Sequence, residues 1–299
     1  MAWLQLSIAA DRERVEAVGD LLEAHGAQAV TLTGAGEEAL LEPSPGEEPL
    51  WDRVVVLALL PTEVDLKALR AALEPLWAEV RDVEIVADDD WQSRWRAHAV
   101  RACFGGRLWL MPRDEPFEAP AAPGGEAPVV LRLDPGLAFG SGSHPTTRLC
   151  LDGLAALPLE GRRVLDFGCG SGVLALAACR LGAECAVAVD HDPQALLATR
   201  DNATYNQIEA DRLPVMTPEA LARAPGARRG FDVVVANILA NPLVELAPVL
   251  TSYLAPGGRL MLSGLLAEQA RTIRDAYPAI DFAAPVQEAE WIRLDGVLR

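Results

Sequence analysis

The feature that most limits how this chain can fold is a glycine-dense turn, Asp166-Phe167-Gly168-Cys169-Gly170-Ser171-Gly172, set between a short apolar run and an apolar segment of helical spacing. Glycines at 168, 170 and 172 let the backbone pass close to a ligand with no β-carbon in the way, and the helix that follows offers free N–H groups. Around this turn, apolar runs at 163–166, 185–190, 233–236 and 259–263 alternate with helical stretches at 146–156, 173–181, 193–206, 242–254 and 267–277. Apolar strands separated by helices predict a parallel sheet covered on both faces, a doubly wound α/β domain. Residues 282–288 and 291–298 have no helix between them and are expected to pair antiparallel at one edge.

The first part of the chain follows another plan. Strands at 3–8, 28–32, 53–60 and 79–86 and helices at 12–25 and 65–77 give the order βαββαβ, which fits a ferredoxin-like split βαβ module. The strand over 53–60 is apolar on both faces, and 34–50, rich in Gly, Pro and Glu, is an exposed connection. Asp88, Asp89 and Asp90 then precede Trp91 and Trp95, one helical turn apart, which suggests a capped linker helix. A proline-rich loop over 113–128 separates strands at 108–111 and 129–133. The expected organisation is therefore a small α+β domain over 1–87, a linker helix over 88–107 and an α/β domain over 108–299.

Composition removes several classes of function. There is no run of about 18 apolar residues, and the start, Met1-Ala2-Trp3-Leu4-Gln5, lacks the basic-then-apolar plan of a secretion signal, so a cytoplasmic protein without a membrane segment is expected. Five cysteines without a CxxC pair or histidine at ligand spacing suggest neither a metal site nor a disulfide framework. A net charge of −17 disfavours direct nucleic-acid binding and favours a basic protein partner. A monomer is the expectation.

In a doubly wound sheet the ligand sits outside the carboxyl ends of the strands. Val173 stands where the dinucleotide fingerprint GxGxxG needs its third glycine, and Asp166, two residues before Gly168, suits a cationic amino-acid ligand better than a pyrophosphate. Asp190 ends the next strand, where a carboxylate can accept hydrogen bonds from both hydroxyls of a ribose; this points to a nucleoside without saying which. Asn237 places an amide where substrate would meet cofactor and favours group transfer over hydride transfer. In the loop 134–147, Phe139 sits between Gly136 and Gly140 and can lay its ring on a ligand, while the hydroxyls of Thr146 and Thr147 can cap the next helix or reach a ligand carboxylate. His144 is read as either a loop anchor or a base. His25, His98 and His191 carry no role.

Together, the loop Gly136-Leu-Ala-Phe-Gly-Ser-Gly-Ser-His-Pro-Thr-Thr147, the turn Asp166–Gly172 and Asn237-Ile238-Leu239-Ala240 resemble the ribosomal protein L-eleven methyltransferases, with similarity over essentially the whole chain. Ser141 stands where that family usually has threonine and keeps the hydroxyl. The resemblance implies a class I Rossmann-like methyltransferase domain with S-adenosyl-L-methionine as cofactor, contacted by Thr147, Gly168, Asp190 and Asn237; Gly170 joins this set as part of the glycine turn. It also implies an amino-terminal module that holds the substrate, ribosomal protein L-eleven, and trimethylation of that protein's lysine side chains and terminal amine. Asn237 is expected to be catalytic, aiming the amine at the methyl group. The alternatives are methylation of another protein or a small-molecule amine, methylation of an amide or adenine amino group, a nicotinamide-dependent oxidoreductase, and a non-catalytic cofactor-binding or ribosome-assembly module. A planar acceptor typically calls for two prolines and an aromatic ring after the asparagine, where this chain has Ile238, Leu239 and Ala240.

Overall fold

The computed structural model describes residues 2–34, 53–87, 100–118, 120, 128–133 and 142–299. Almost all of the expected connection 34–50, the Trp91 and Trp95 pair and the Phe139 loop lie outside the described residues. The chain divides into two compact units, Met1–Ala97 and His98–Arg299.

The first unit contains β1 (Ala2–Asp11), α1 (Val15–Ala24), β2 (Ala29–Gly34), β3 (Arg53–Pro61), α2 (Leu66–Leu73) and β4 (Glu79–Ala87). Its antiparallel sheet has the order β2-β3-β1-β4, so β3 is inserted between β1 and β2, as a split βαβ arrangement requires. Burial alternates along the strands: Leu6, Ile8 and Ala10 of β1 and Val54, Val56, Ala58 and Leu60 of β3 share a core with Val15, Val18 and Leu22 of α1 and Leu69 and Leu73 of α2. Val55, Leu57 and Leu59, on the opposite face, are only half-buried. The Asp65 carboxylate accepts from the amides of Lys67 and Ala68 at 3.0 Å and starts α2.

In the second unit β5 (Ala102–Phe104), β6 (Leu108–Met111) and β7 (Val129–Arg132) form a small sheet, with β6 antiparallel to β5 and parallel to β7. Residues 88–99 of the linker helix expected over 88–107 lie outside the described residues, and its far end differs from that expectation, because 102–104 is strand. Gly105 and Gly106, at φ 55° and 70°, reverse the chain so that Phe104, 2% exposed, pairs with Leu108.

The large sheet follows. Its elements are α3 (Pro145–Ala156), β8 (Arg163–Phe167), α4 (Val173–Arg180), β9 (Cys185–Val189), α5 (Pro193–Tyr205), β10 (Val215–Met216), α6 (Pro218–Arg223), β11 (Phe231–Asn237), α7 (Ala240–Glu245), α8 (Ala247–Tyr253), β12 (Leu254–Leu266), α9 (Ala270–Ala276), β13 (Ile280–Phe282), β14 (Val286–Glu288) and β15 (Trp291–Leu298). The strand order is β10-β9-β8-β11-β12-β15-β13, with β14 also on β15. Strands β10 to β12 are parallel and β15 runs antiparallel to β12. Successive strand residues point to opposite faces. Val164, Val233 and Val235 pack beneath α3 and α4, while Leu165, Val187, Val234 and Ala236 pack against α7, α8 and α9.

Three departures from expectation have local causes. The stretch 242–254 is two helices and the start of β12, because Pro248 has no N–H to continue the helical ladder. The stretch 282–288 is split into β13 and β14 around Pro285. Strand β10 and helix α6 were not anticipated, although Thr217, whose hydroxyl accepts from the Ala220 amide at 3.3 Å, followed by Pro218, is a helix-start signature.

Helix α3 is tied to the sheet by Arg293 of β15. Its guanidinium is largely buried, donates to the Leu149 carbonyl, and pairs with Asp295 through Nε at 2.9 Å and Nη2 at 2.8 Å. Gly153 makes room for it, since a β-carbon there would overlap the guanidinium. Replacing Arg293 with Ala should cost about 2–3 kcal/mol of unfolding free energy, measurable by urea denaturation, because a buried carbonyl and a half-buried carboxylate lose their donor.

Candidate active site

Strand β8 ends in Asp166 and Phe167, and the glycine turn folds onto the end of β9. The amides of Gly168 and Cys169 both donate to the Val189 carbonyl, at 2.8 and 3.0 Å, and the Gly170 amide donates to Asp190 Oδ2 at 2.9 Å. The other Asp190 oxygen accepts from the Asp192 amide at 3.0 Å. Asp190 is 8% exposed, so these two amides hold a nearly buried carboxylate in one orientation and leave a lone pair on each oxygen for a ligand hydroxyl. Next to it the cavity opens, about 580 Å³ in volume and mostly apolar in its walls. That is the size and character of a small-molecule site.

Gly168, Gly170, Asp190 and Asn237 all line this cavity. Thr147 is placed differently. It is fully buried, and its Oγ1 accepts from Asn237 Nδ2 at 3.3 Å, so it acts on the cavity through Asn237, while the neighbouring Thr146 is part of the wall. With Nδ2 engaged, Asn237 Oδ1 is left buried and has no hydrogen-bond partner among the described residues. A buried carbonyl oxygen without a partner is costly and is rare in native structures outside functional sites.

Neither threonine caps α3. His144 does, accepting from the Thr146 amide at 3.3 Å through Nδ1, which also contacts Thr146 Oγ1 at 2.8 Å. Its ring stands edge-on to Trp291, with centroids 4.9 Å apart, and both side chains line the cavity. Burial holds the His144 pKa below its ordinary value, against an opposing pull from Glu290, so the neutral ring is favoured. Asp166, read from the sequence as a partner for a cationic ligand, is 1% exposed and outside the cavity wall; its Oδ2 accepts from the Ala175 amide at 3.0 Å and its Oδ1 has no partner among the described residues.

The segment after Asn237 is fixed by Ile238, whose side chain touches the position a β-carbon of Gly168 would occupy and whose backbone fills the corresponding space at Gly264. Both glycines have left-handed backbone, φ 81° and 83°. Ile238 thus locks the end of β11 between the turn after β8 and a bend in β12, and Leu239, 49% exposed, sits at the cavity mouth. An isolated glycine within a strand was the available signal for Gly264; nothing in the sequence pointed to Trp291.

The chain matches the sequence profile of the ribosomal protein L11 methyltransferase (PrmA) family over residues 2–299. It belongs to that family. A ribosomal protein L11 methyltransferase of Azotobacter vinelandii is 47% identical over 303 residues, with 100% of each chain covered. One from Pseudomonas aeruginosa is 49% identical over 300 residues, 99% of this chain and 98% of its own. Among solved structures, a ribosomal protein L11 methylase from Lactobacillus delbrueckii subsp. bulgaricus aligns with a TM-score of 0.56 at 33% identity, covering 64% of this chain and 95% of that one. The large sheet is accordingly a Rossmann-like methyltransferase fold.

Two measurements follow from the site. Gly264→Ala puts a β-carbon into the Ile238 backbone at a left-handed φ and should destabilise the family member by about 2 kcal/mol or more in denaturant titrations. Burial raises the Asp166 carboxyl to about 7, opposed by the Ala175 amide and reinforced by nearby Asp190. An acid raised in the fold contributes stability that is fully present below its unfolded pKa of about 4 and is lost as pH climbs through the folded value. Asp166→Asn, neutral throughout, should remove that decline between pH 4 and 7 in thermal unfolding; superimposable pH profiles for the two proteins would refute the assignment.

Proposed function

We propose that this chain transfers methyl groups from S-adenosyl-L-methionine to lysine side-chain and terminal amines of ribosomal protein L11. The observation that carries this reading is Asn237, a residue of the cavity wall whose Oδ1 has no hydrogen-bond partner among the described residues and so can accept from an N–H donor. The cofactor fits the rest of the wall: Gly168 and Gly170 allow close approach, and Asp190, oriented by two amides, accepts from ribose hydroxyls. When bound, S-adenosyl-L-methionine supplies an electrophilic methyl group on a sulfonium.

The protein's share of the reaction is alignment and desolvation. Asn237 Oδ1 accepts a hydrogen bond from the amine and directs its lone pair, while the Thr147 hydroxyl holds the other end of the amide. A free lysine amine has a pKa of about 10.4, and an apolar wall of Ile238, Leu239, Pro242 and Leu246 disfavours its charged form, so the proton leaves to solvent before transfer. Trp291 adds an aromatic ring to the same wall, a group that attracts cations. Ala240, buried at the start of α7, provides no stacking ring at the position where a planar acceptor would need one, which favours a tetrahedral amine over an amide or a base.

The first unit is the module that holds the substrate in this reading. Residues 1–87 hold most of the chain's net charge of −17, and this suits a basic protein. No helix among the described residues is long and apolar enough to cross a membrane, in keeping with a cytoplasmic enzyme working on a ribosomal protein.

Asn237→Ala should lower kcat by about a hundredfold or more while leaving the melting temperature within a few degrees of wild type. Steady-state kinetics on the amine substrate with parallel calorimetry decides it, and an unchanged kcat would rule out this role for Asn237.

A further inference from the structure

Helix α5 contributes nothing to the cavity wall, yet one of its faces holds the glycine turn from behind. Thr199, Asn202 and Asn206 are three and four residues apart, so they stack along one side, and all three are more than nine-tenths buried. Thr199 Oγ1 donates to the Gly170 carbonyl at 3.0 Å and Asn202 Nδ2 donates to the Ser171 carbonyl at 2.9 Å. Two successive peptide planes of the turn are thereby fixed by side chains of a different element.

A side-chain amide can present either end. Turned over, Asn202 would point its oxygen at the Ser171 oxygen and push the turn away. Arg113 removes that choice. Its Nη2 donates to Asn202 Oδ1 at 2.6 Å, and a guanidinium has only donors and keeps its charge, so only the oxygen of the amide can face it. Arg113 is itself held: its guanidinium lies 4.7 Å from the centroid of the Tyr205 ring, and the Tyr205 hydroxyl donates to its carbonyl at 2.7 Å. Arg132 gathers the carbonyls of Pro112, Arg113 and Glu115, and Asn206 bonds both the amide and the carbonyl of Arg132 at 2.8 and 2.7 Å.

We propose that Arg113 and Asn202 are positioning residues that set cofactor affinity by fixing the orientation of the Ser171 peptide, although neither touches the cavity; this rests on the glycine turn and Asp190 being the cofactor's seat. The test separates donor-only chemistry from bulk. Lysine at 113 still offers only donors to Asn202, whereas glutamine, of similar length, can meet either end of the amide and lets it turn. S-adenosyl-L-methionine and S-adenosylhomocysteine would be titrated calorimetrically into wild type, Arg113→Lys, Arg113→Gln, Asn202→Ala and Asp190→Ala, with KM and kcat measured alongside.

Arg113→Lys should bind within about twofold of wild type, and Arg113→Gln and Asn202→Ala about five- to tenfold more weakly, with KM for the cofactor rising in step and kcat at saturation held. Adding Arg113→Gln to Asn202→Ala should weaken binding no further, since the two act in series. Equal affinity of the lysine and glutamine variants, with binding lost in Asp190→Ala, would overturn the positioning role while leaving the seat intact. Unweakened binding in Asp190→Ala would overturn the seat and the positioning role with it.

Discussion

The contact on which the site depends is the docking of the glycine turn onto the end of β9. Three consecutive amides, those of Gly168, Cys169 and Gly170, are taken up by the Val189 carbonyl and the Asp190 carboxylate. The turn can follow β9 this closely only because its glycines accept left-handed backbone. Once it is placed, Gly168 becomes the surface on which Ile238 rests, and Ile238 in turn requires Gly264 to lack a side chain. A single apolar residue therefore transmits the position of the glycine turn to Asn237, and β8, β11 and β12 are registered against one another at the wall of the cavity.

Burial decides the ionisation of the carboxyl beneath the turn: Asp166 is driven toward its neutral form, with the nearby charge of Asp190 adding to the push, while Asp190 itself is held by two amide donors. Within mostly apolar walls, Asp190 and Asn237 are the polar side chains at the ends of β9 and β11 that line the cavity. Around Asn237 the neighbouring polar groups are satisfied; Thr147 and His144 both use their polar atoms to hold neighbours in place.

The parallel sheet was legible because its strands are apolar on both sides and are separated by helices, a pattern that few other architectures produce. Gly168, Gly170, Asp190 and Asn237 were legible for a related reason: in such a sheet, position after a strand end predicts position at the cavity. Where sequence reading stopped short, long-range packing decided. Thr146 and Thr147 are adjacent on a helix and so point in different directions, which no local pattern reveals before the helix is docked. Thr199 and Asn202 read as ordinary polar helix residues until α5 lies against the turn. Strand β5 was hidden by the aromatic pair before it, although the Gly105-Gly106 reversal was a sign that a strand pair could form there.

The central claim is that an amine, aimed by Asn237, takes a methyl group at this cavity. The most direct measurement is the intact mass of ribosomal protein L11 after incubation with the wild-type protein and S-adenosyl-L-methionine carrying a deuterated methyl group, followed by fragmentation to place the label. Whole labelled methyl increments confined to lysine side chains and the terminal amine are the predicted result. No labelled mass on that protein, or label carried on amide nitrogens, would contradict it.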